Sequence, residues 1–127
     1  DYVASQIVKL MIKKGISVKG ASLLMLGITF KENCPDVRNT KVINVIEALV
    51  DYGIVVTTHD PVADPEAVLK EYGITTCTAL PSAAFDAVVL GVSHQAFLSL
   101  DFEALQKPLS ILYDVKGVLG SRADGRL

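Results

Sequence analysis

Two cations and two acids lie close together in a single stretch of the sequence, between an apolar run and a helical pattern. The stretch GITFKENCPDVRNT, residues 27–40, carries Lys31, Glu32, Asp36 and Arg38. Arg38 offers a planar fork that suits pairs of phosphate oxygens, and Lys31 offers a point charge. The start of the following helix would add free backbone N–H groups. These residue types indicate an anion-binding loop in which Asp36 holds the guanidinium, although spacing alone leaves open an exposed salt-bridge loop without a ligand.

Other polar residues give weaker signals. Lys116 follows the last apolar run and would be a third cation, although a lone lysine there is usually solvated. His94 precedes an apolar helical turn, which favours a cap-like residue over a base or a ligand contact. Asp60 precedes Pro61, which favours a turn over a ribose-binding acid. Cys34 has no evident histidine partner in the sequence, so a nucleophile is not predicted there.

The sequence lacks the motifs of two common kinds of site. No GxGxxG follows the first apolar run, where Gly27 stands alone, so primary dinucleotide binding is not predicted. Cys34 and Cys77 form no CxxC pair and the two histidines do not cluster, so no metal site is predicted. Reduced thiols are expected.

Composition restricts the class of protein. The chain has 127 residues, half of them hydrophobic and a fifth charged, which is enough for one domain with a core. A net charge of −2 and a pI of 5.6 argue against a nucleic-acid partner. No apolar run is long enough to span a membrane, and no secretory pattern is present. We therefore expect a cytoplasmic protein. Because the chain begins inside a helical pattern, we also expect it to be part of a longer one.

Apolar runs alternate with helical patterns along the chain. Helices are predicted at 2–14, 40–53 and 63–73, strands at 21–28, 54–60, 74–78, 86–92 and 109–115, one helical turn within 80–85 and short helical pieces within 94–106. Either Asn39 or Thr40 is expected to cap the second helix. Strands that are apolar throughout need cover on both faces, so we predict an α/β fold with a three-layer, open, mainly parallel Rossmann-like sheet.

Ligands bind beyond the carboxyl ends of the strands in such sheets. The 27–40 loop, Asp60, His94 and Lys116 all follow predicted strands and should share that edge.

Several motifs together resemble those of a known family. They are L-G-x-x-F-K, a short polar spacer, D-V-R, a helix, and a strand ended by D-P; D-V-K-G-V-L near the end and Y-V-A at the start also fit. This pattern resembles the C-terminal domain of the UDP-glucose/GDP-mannose dehydrogenase family and covers nearly the whole chain. The sequence of the 27–40 stretch is most similar to that of the bacterial branch that oxidises UDP-N-acetylhexosamines for surface polysaccharides of the Vi type.

The resemblance implies a domain organisation and an activity. An N-terminal Rossmann domain binds NAD in that family, and a long central helix, which also packs in the dimer, leads to a UDP-binding domain. Residues 1–15 would be the end of that helix and 16–127 the UDP-sugar-binding domain. The parent enzyme would oxidise a C6 alcohol to a carboxylate in two hydride transfers, through a cysteine thioester. It would assemble as a homodimer or a larger oligomer.

The resemblance also assigns roles to particular residues. Phe30 and Lys31 match the pair that contacts the UDP-sugar, and Arg38 matches the arginine that reaches the cofactor side of the cleft. Lys116 stands where the glucose-specific branch usually has arginine near the substrate phosphates. The family's glycine motif and catalytic cysteine match nothing in this chain, so no catalytic residue is expected here and the segment alone should be inert.

Two other functions remain as alternatives. A receiver-like regulatory domain would need a pair of acids at the end of the first strand to hold Mg²⁺, where this chain has Thr-Phe-Lys-Glu. A non-catalytic assembly domain would use the charged loop only as an interface.

Overall fold

The computed structural model describes residues 1–127, which form three α-helices, six strands and two short 3₁₀ turns. The helices are α1 (Tyr2–Lys13), α2 (Val42–Asp51) and α3 (Pro65–Tyr72), and the 3₁₀ turns are Gln95–Phe97 and Gly120–Arg122. The strands are β1 (Ser22–Leu26), β2 (Val55–His59), β3 (Thr76–Cys77), β4 (Phe85–Leu90), β5 (Gln106–Asp114) and β6 (Gly125–Arg126). No helix is both long and apolar enough to cross a bilayer.

All six strands pair in parallel in the order β3-β2-β1-β4-β5-β6. The chain builds outward from β1 to β3 on one side, then returns to the centre and builds from β4 to β6 on the other. The reversal between β1 and β4 creates a crevice at the carboxyl end of the sheet. The predicted α/β, Rossmann-like fold is thereby confirmed.

The central strands are apolar on both faces because both faces are covered. Leu23 and Met25 of β1 belong to a core cluster of 20 residues to which all three α-helices contribute. Leu24 and Leu26 belong to a second cluster of 10 residues on the other face. That face is covered by the irregular segment 91–105 rather than by an α-helix.

Sequence signals account for the helix boundaries. Asp64 caps α3 by accepting a hydrogen bond from Glu66 N at 3.1 Å, and Gly73, with φ of +69°, ends it. Thr40 Oγ1 accepts from Val42 N at 3.2 Å at the start of α2. Of the two capping residues predicted for α2, Thr40 therefore makes the bond. Asn39 instead takes a left-handed conformation, with φ of +58°.

Two local expectations differ from the structure. The helical turn predicted within 80–85 is wrong, because this stretch bends irregularly and Phe85 already begins β4. Leu80 remains 40% exposed, so the stretch has no packed apolar face that would stabilise a short helix. The sequence also did not indicate β6, whose Gly125 and Arg126 pair with the end of β5.

Candidate functional site

The 27–40 loop leaves β1 at the point where the strand order reverses. Gly27 has φ of +94°, and its N–H donates to His59 O at 2.8 Å. A Cβ at this position would lie 2.6 Å from Cβ of Val92, which follows β4. The lone glycine is therefore required by a close approach between neighbouring strand ends, not by a ligand.

Hydrogen bonds hold the 27–40 loop in a defined shape. Phe30 N donates to Asp36 O at 2.7 Å, which closes the middle of the loop. Val37 is buried, and its carbonyl accepts a hydrogen bond from the hydroxyl of Tyr72 on α3. Asn33 has φ of +57°, a region in which asparagine is less disfavoured than most residues. The exposed cations of the loop thus project from a fixed backbone.

A buried carboxylate anchors the start of this loop. Asp60 is fully buried, and its Oδ2 accepts from Ile28 N at 2.7 Å. Its Oδ1 accepts from Val62 N at 2.8 Å and from Ala63 N at 2.9 Å. Asp60 therefore forms the turn that its neighbouring proline predicted, and it also binds the loop that follows β1.

The same carboxylate contacts His94, which is also fully buried. Nε2 of His94 lies 3.0 Å from Oδ2 of Asp60. Burial by itself would raise the pKa of Asp60, but hydrogen bonds from His94 and from the backbone N–H groups lower it to about 2. Asp60 is therefore ionised and enclosed, so it is not exposed to a ribose.

His94 differs from the cap-like residue that the sequence favoured. It does precede the 3₁₀ turn Gln95–Phe97, but its side chain makes no capping hydrogen bond. The ring is instead buried under the 27–40 loop, where Nδ1 lies 2.9 Å from Asn33 N. A histidine surrounded by Ser and Gln in the sequence gives no signal of this long-range contact.

Arg38 and Asp36 form an exposed ion pair at the end of the loop. Nε of Arg38 lies 3.1 Å from Oδ1 of Asp36, and a second guanidinium nitrogen lies 3.2 Å from Oδ2. The hydrogen bonds from Arg38 lower the pKa of Asp36. Although it is paired, the Arg38 side chain is 75% exposed, so its remaining donors face outward.

A cleft of about 420 Å³ opens beside the loop, at the carboxyl ends of β1, β4 and β5. Phe30 and Lys116 both line it, and the Phe30 residue is 55% exposed. Residues from the start of α2, from the edge of the sheet and from the two ends of the chain complete the lining: Asn39, Thr40, Lys41, Val42, Asn44, Val45, Met25, Thr29, Gly91, Val92, Val115, Asp1, Val3 and Leu127. The cleft thus combines apolar side chains with two lysines, Lys41 and Lys116, and one acidic residue, Asp1.

Lys116 is held at this cleft by the end of β5. Asp114 is fully buried, and its Oδ1 accepts from the backbone N–H groups of Lys116 at 3.0 Å and Gly117 at 2.9 Å. Its Oδ2 accepts from Leu119 N at 2.7 Å. A strand-ending aspartate therefore fixes the turn after β5, as Asp60 does after β2.

The structure separates the residues that the sequence grouped together. Lys31, Asp36 and Arg38 lie on the exposed loop and do not line the cleft, whereas Phe30 and Lys116 do. The sequence analysis missed Lys41, which lines the cleft next to the first turn of α2. The available signal was its position in the first turn of the helix predicted at 40–53, at the ligand-binding edge of the sheet.

Other polar clusters provide no comparable site. A hollow of about 670 Å³ beside the first half of β5 contains Lys14 and Lys107, but both ammonium groups are paired. Lys14 contacts Asp124 at 3.0 Å, and Lys107 contacts Asp86 at 3.2 Å. No group of three or more His, Cys, Asp or Glu side chains is placed to hold a metal ion.

The parallel sheet, its strand order and the cleft at the reversal define a Rossmann-like α/β domain. The sequence model of the UDP-glucose/GDP-mannose dehydrogenase family, UDP binding domain, matches residues 24–121. The chain belongs to this family, and the resemblance drawn from its motifs is confirmed.

Curated relatives extend this match over the whole chain. UDP-N-acetyl-D-glucosamine 6-dehydrogenase of Salmonella typhi is 45% identical over 100% of this chain and 31% of its own length. The enzyme of the same name from Pseudomonas aeruginosa is 42% identical over 99% of this chain and 31% of its own length. The chain therefore spans about a third of the length of these relatives.

Solved structures share the fold at low identity. NDP-N-acetyl-D-galactosaminuronic acid dehydrogenase from Methanosarcina mazei Go1 aligns with a TM-score of 0.72 and 23% identity, over 87% of this chain and 24% of that one. UDP-N-acetyl-mannosamine dehydrogenase Cap5O from Staphylococcus aureus aligns with a TM-score of 0.71 and 22% identity, over 94% and 27%. These likenesses support the Rossmann-like architecture.

Proposed function

We propose that the cleft binds the UDP part of a UDP-sugar, and that this chain is the UDP-binding portion of an NAD-dependent UDP-sugar 6-dehydrogenase. One observation carries the proposal. In a chain that matches a UDP binding domain, a cleft of about 420 Å³ lies where the strand order reverses and places Phe30, Lys41 and Lys116 on one lining.

The lining suits the separate parts of a nucleoside diphosphate. The exposed ring of Phe30 and the apolar side chains of the cleft fit a planar base, since flat rings gain by stacking. Lys41 and Lys116 fit the diphosphate, because an ammonium about 4 Å from a phosphate charge contributes roughly 1–4 kcal/mol at effective dielectric constants between 80 and 20. The start of α2, which also lines the cleft, adds backbone N–H groups whose partial positive charge favours a phosphate.

Lys31 and Arg38 act outside the cleft lining. By resemblance to the motif of the family, we place Lys31 on the substrate and Arg38, held by Asp36, on the cofactor side. Both side chains belong to exposed residues of the loop, which leaves them accessible to ligands. Substrate and cofactor together bring two diphosphates, and these cations offset their mutual repulsion. Bound NAD would supply the hydride acceptor. The contribution of the loop is to orient the sugar, which can lower a barrier by several kcal/mol.

The remaining parts of the enzyme lie outside the matched segment. The catalytic cysteine and the NAD-binding glycine motif belong to a preceding domain in this proposal, and the whole protein is cytoplasmic. Residues 1–15 end the connecting helix through which a homodimer or larger oligomer assembles, and 16–127 bind the substrate. Two relatives named UDP-N-acetyl-D-glucosamine 6-dehydrogenase support a UDP-N-acetylhexosamine as the sugar nucleotide.

Titration calorimetry with UDP and with uridine tests the binding proposal on this chain. We expect saturable binding of UDP that weakens with added salt, and weaker binding of uridine, because the lysines act on the phosphates. Turnover assays on the full-length protein with NAD and UDP-N-acetylglucosamine test the activity. Equal affinity for UDP and uridine, or no saturable binding of either, would refute a diphosphate site in this cleft.

A further inference from the structure

The hydrogen bonds around His94 determine which of its nitrogens carries a proton. The backbone N–H of Asn33 can only donate, and it lies 2.9 Å from Nδ1 of His94. Nδ1 must therefore be the acceptor and must be unprotonated. This contact leaves the proton of a neutral ring on Nε2.

The partners of Nε2 lead independently to the same tautomer. The single hydroxyl proton of Thr29 is used on Lys31 O, 2.9 Å away. Toward Nε2 of His94, at 3.1 Å, the Thr29 oxygen therefore accepts. The ionised Asp60 carboxylate also accepts, with Oδ2 at 3.0 Å from the same nitrogen. Nε2–H thus donates to two oxygens, and the imidazole is neutral.

This neutral ring connects the strand ends to the charged loop. A second bond returns from Gln95 N to the side-chain oxygen of Asn33 at 3.0 Å, so the segment after β4 holds Asn33 from both directions. Asn33 is exposed and left-handed, and these two hydrogen bonds tie it to the segment after β4. Through Thr29, the same network fixes the carbonyl of Lys31.

We propose that His94 is a positioning residue: in its neutral Nε2–H form it fixes residues 29–33, and thereby the directions of Phe30 and Lys31 toward the substrate. The direction toward substrate rests on the function proposed above, whereas the fixing of the loop does not. A purely structural core histidine would support folding without controlling the order of this loop.

Two substitutions of His94 distinguish a positioning role from a purely structural one. Each substitution keeps the hydrogen-bonding contact of one ring nitrogen and removes that of the other. His94→Gln retains a donor near the position of Nε2, facing Asp60, but loses the acceptor for Asn33. His94→Asn retains an acceptor near the position of Nδ1 but loses the donor. Gln95→Ala is the matched control, since it removes an exposed neighbouring side chain and keeps the backbone N–H that bonds Asn33.

Amide hydrogen exchange of this chain, followed by NMR, reads the order of the loop without any ligand. In His94→Gln we expect exchange at Asn33 to accelerate at least about tenfold while β1 amides stay protected, because the loss is local. In His94→Asn we expect a smaller acceleration at Asn33 and a lower melting temperature. Gln95→Ala should match the wild type. Unchanged protection of Asn33 in His94→Gln, or equal acceleration throughout the sheet, overturns the proposal.

Two further measurements complete the test. A long-range ¹H–¹⁵N spectrum of the wild-type histidine side chains should show His94 protonated on Nε2 only; protonation on Nδ1 overturns the proposal even if the variants fail to fold. UDP affinity should fall about fivefold in His94→Gln, as expected for one lost hydrogen bond that orders the site. If the wild type does not bind UDP while the exchange result holds, the proposed function fails and the fixing of the loop stands.

Discussion

The guanidinium of Arg38 is held against the carboxylate of Asp36 by two hydrogen bonds of 3.1 and 3.2 Å, two residues apart on an exposed loop. Exposed pairs of this kind contribute little to stability. Their benefit here is orientation, since the acid fixes the plane of the arginine fork and leaves its outer donors free.

Loss of Arg38 should therefore affect turnover and not folding. In the full-length protein, we expect Arg38→Ala to lower kcat/KM by at least about an order of magnitude with an unchanged melting temperature, because positioning energy is lost. Asp36→Asn should cause a smaller loss, since the fork remains but is no longer fixed. Lys19→Ala, which removes an exposed cation in the turn before β1, is the control. Wild-type kinetics in Arg38→Ala would refute its assigned role.

Substitution of the lysines that line the cleft should weaken binding of the phosphates without weakening binding of the base. Lys41→Ala and Lys116→Ala are each expected to weaken UDP binding about fivefold, corresponding to about 1 kcal/mol of lost Coulomb attraction. Uridine affinity should not change in either variant, because uridine lacks the phosphates. Calorimetry at low and high salt measures the affinities for UDP and for uridine. The difference in UDP affinity between each variant and the wild type should shrink as the salt concentration rises. A parallel loss of uridine affinity would instead indicate a distorted cleft.

The buried Asp60 carboxylate should make stability depend on acid pH. Its pKa is about 2 in the folded protein and about 3.9 when unfolded, so its contribution is complete above about pH 4 and is lost as pH falls through 2. We expect Asp60→Asn to lower the unfolding free energy by about 2–4 kcal/mol at neutral pH. Urea unfolding should show that the difference in unfolding free energy between the wild type and Asp60→Asn narrows as the pH falls from 5 to 2. The exposed helix cap provides the control Asp64→Asn, which should change stability little at neutral pH. A gap that widens toward low pH would contradict the ionised state.

Two glycines with positive φ should respond differently to the same substitution. Gly27→Ala places a Cβ 2.6 Å from Val92 in addition to the strain of a left-handed backbone, so a loss of about 2–4 kcal/mol is expected. Gly15→Ala has comparable φ but meets nothing within 4 Å, and should cost only about 1–2 kcal/mol. Chemical denaturation measures both. Equal losses would show that the contact between the β1 and β4 ends is relaxed at little cost.

The sequence predicted the fold well because the central strands are continuous apolar runs, which are typical of strands buried on both faces. β1 and β4 are covered on both faces, so their composition alone marks them. The sequence did not predict β6, because this strand depends on pairing with a segment elsewhere in the chain. β6 consists only of Gly125 and Arg126, and it forms because the edge of β5 offers a partner. Of the short helical pieces predicted within 94–106, the structure forms the 3₁₀ turn Gln95–Phe97, in which Phe97 is buried.

The sequence predicted that the candidate residues follow strands at one edge of the sheet, but it did not predict which of them line the cleft. Position after a strand suffices to place Lys31, Arg38 and Lys116 at the same edge of the sheet. It does not reveal that Lys41 lines the cleft while Lys31 does not. Nor does it show His94 beneath the loop, because a buried polar partner becomes visible only when separate strand ends are brought together.

A crystal structure of the full-length protein with a bound UDP-sugar tests the central claim most directly. We predict that the diphosphate lies within hydrogen-bond distance of the Lys116 side chain, that the uracil ring contacts Phe30, and that Lys31 approaches the sugar or phosphates. A nucleotide bound elsewhere, with the cleft beside Phe30 empty and both lysines in bulk solvent, would contradict it.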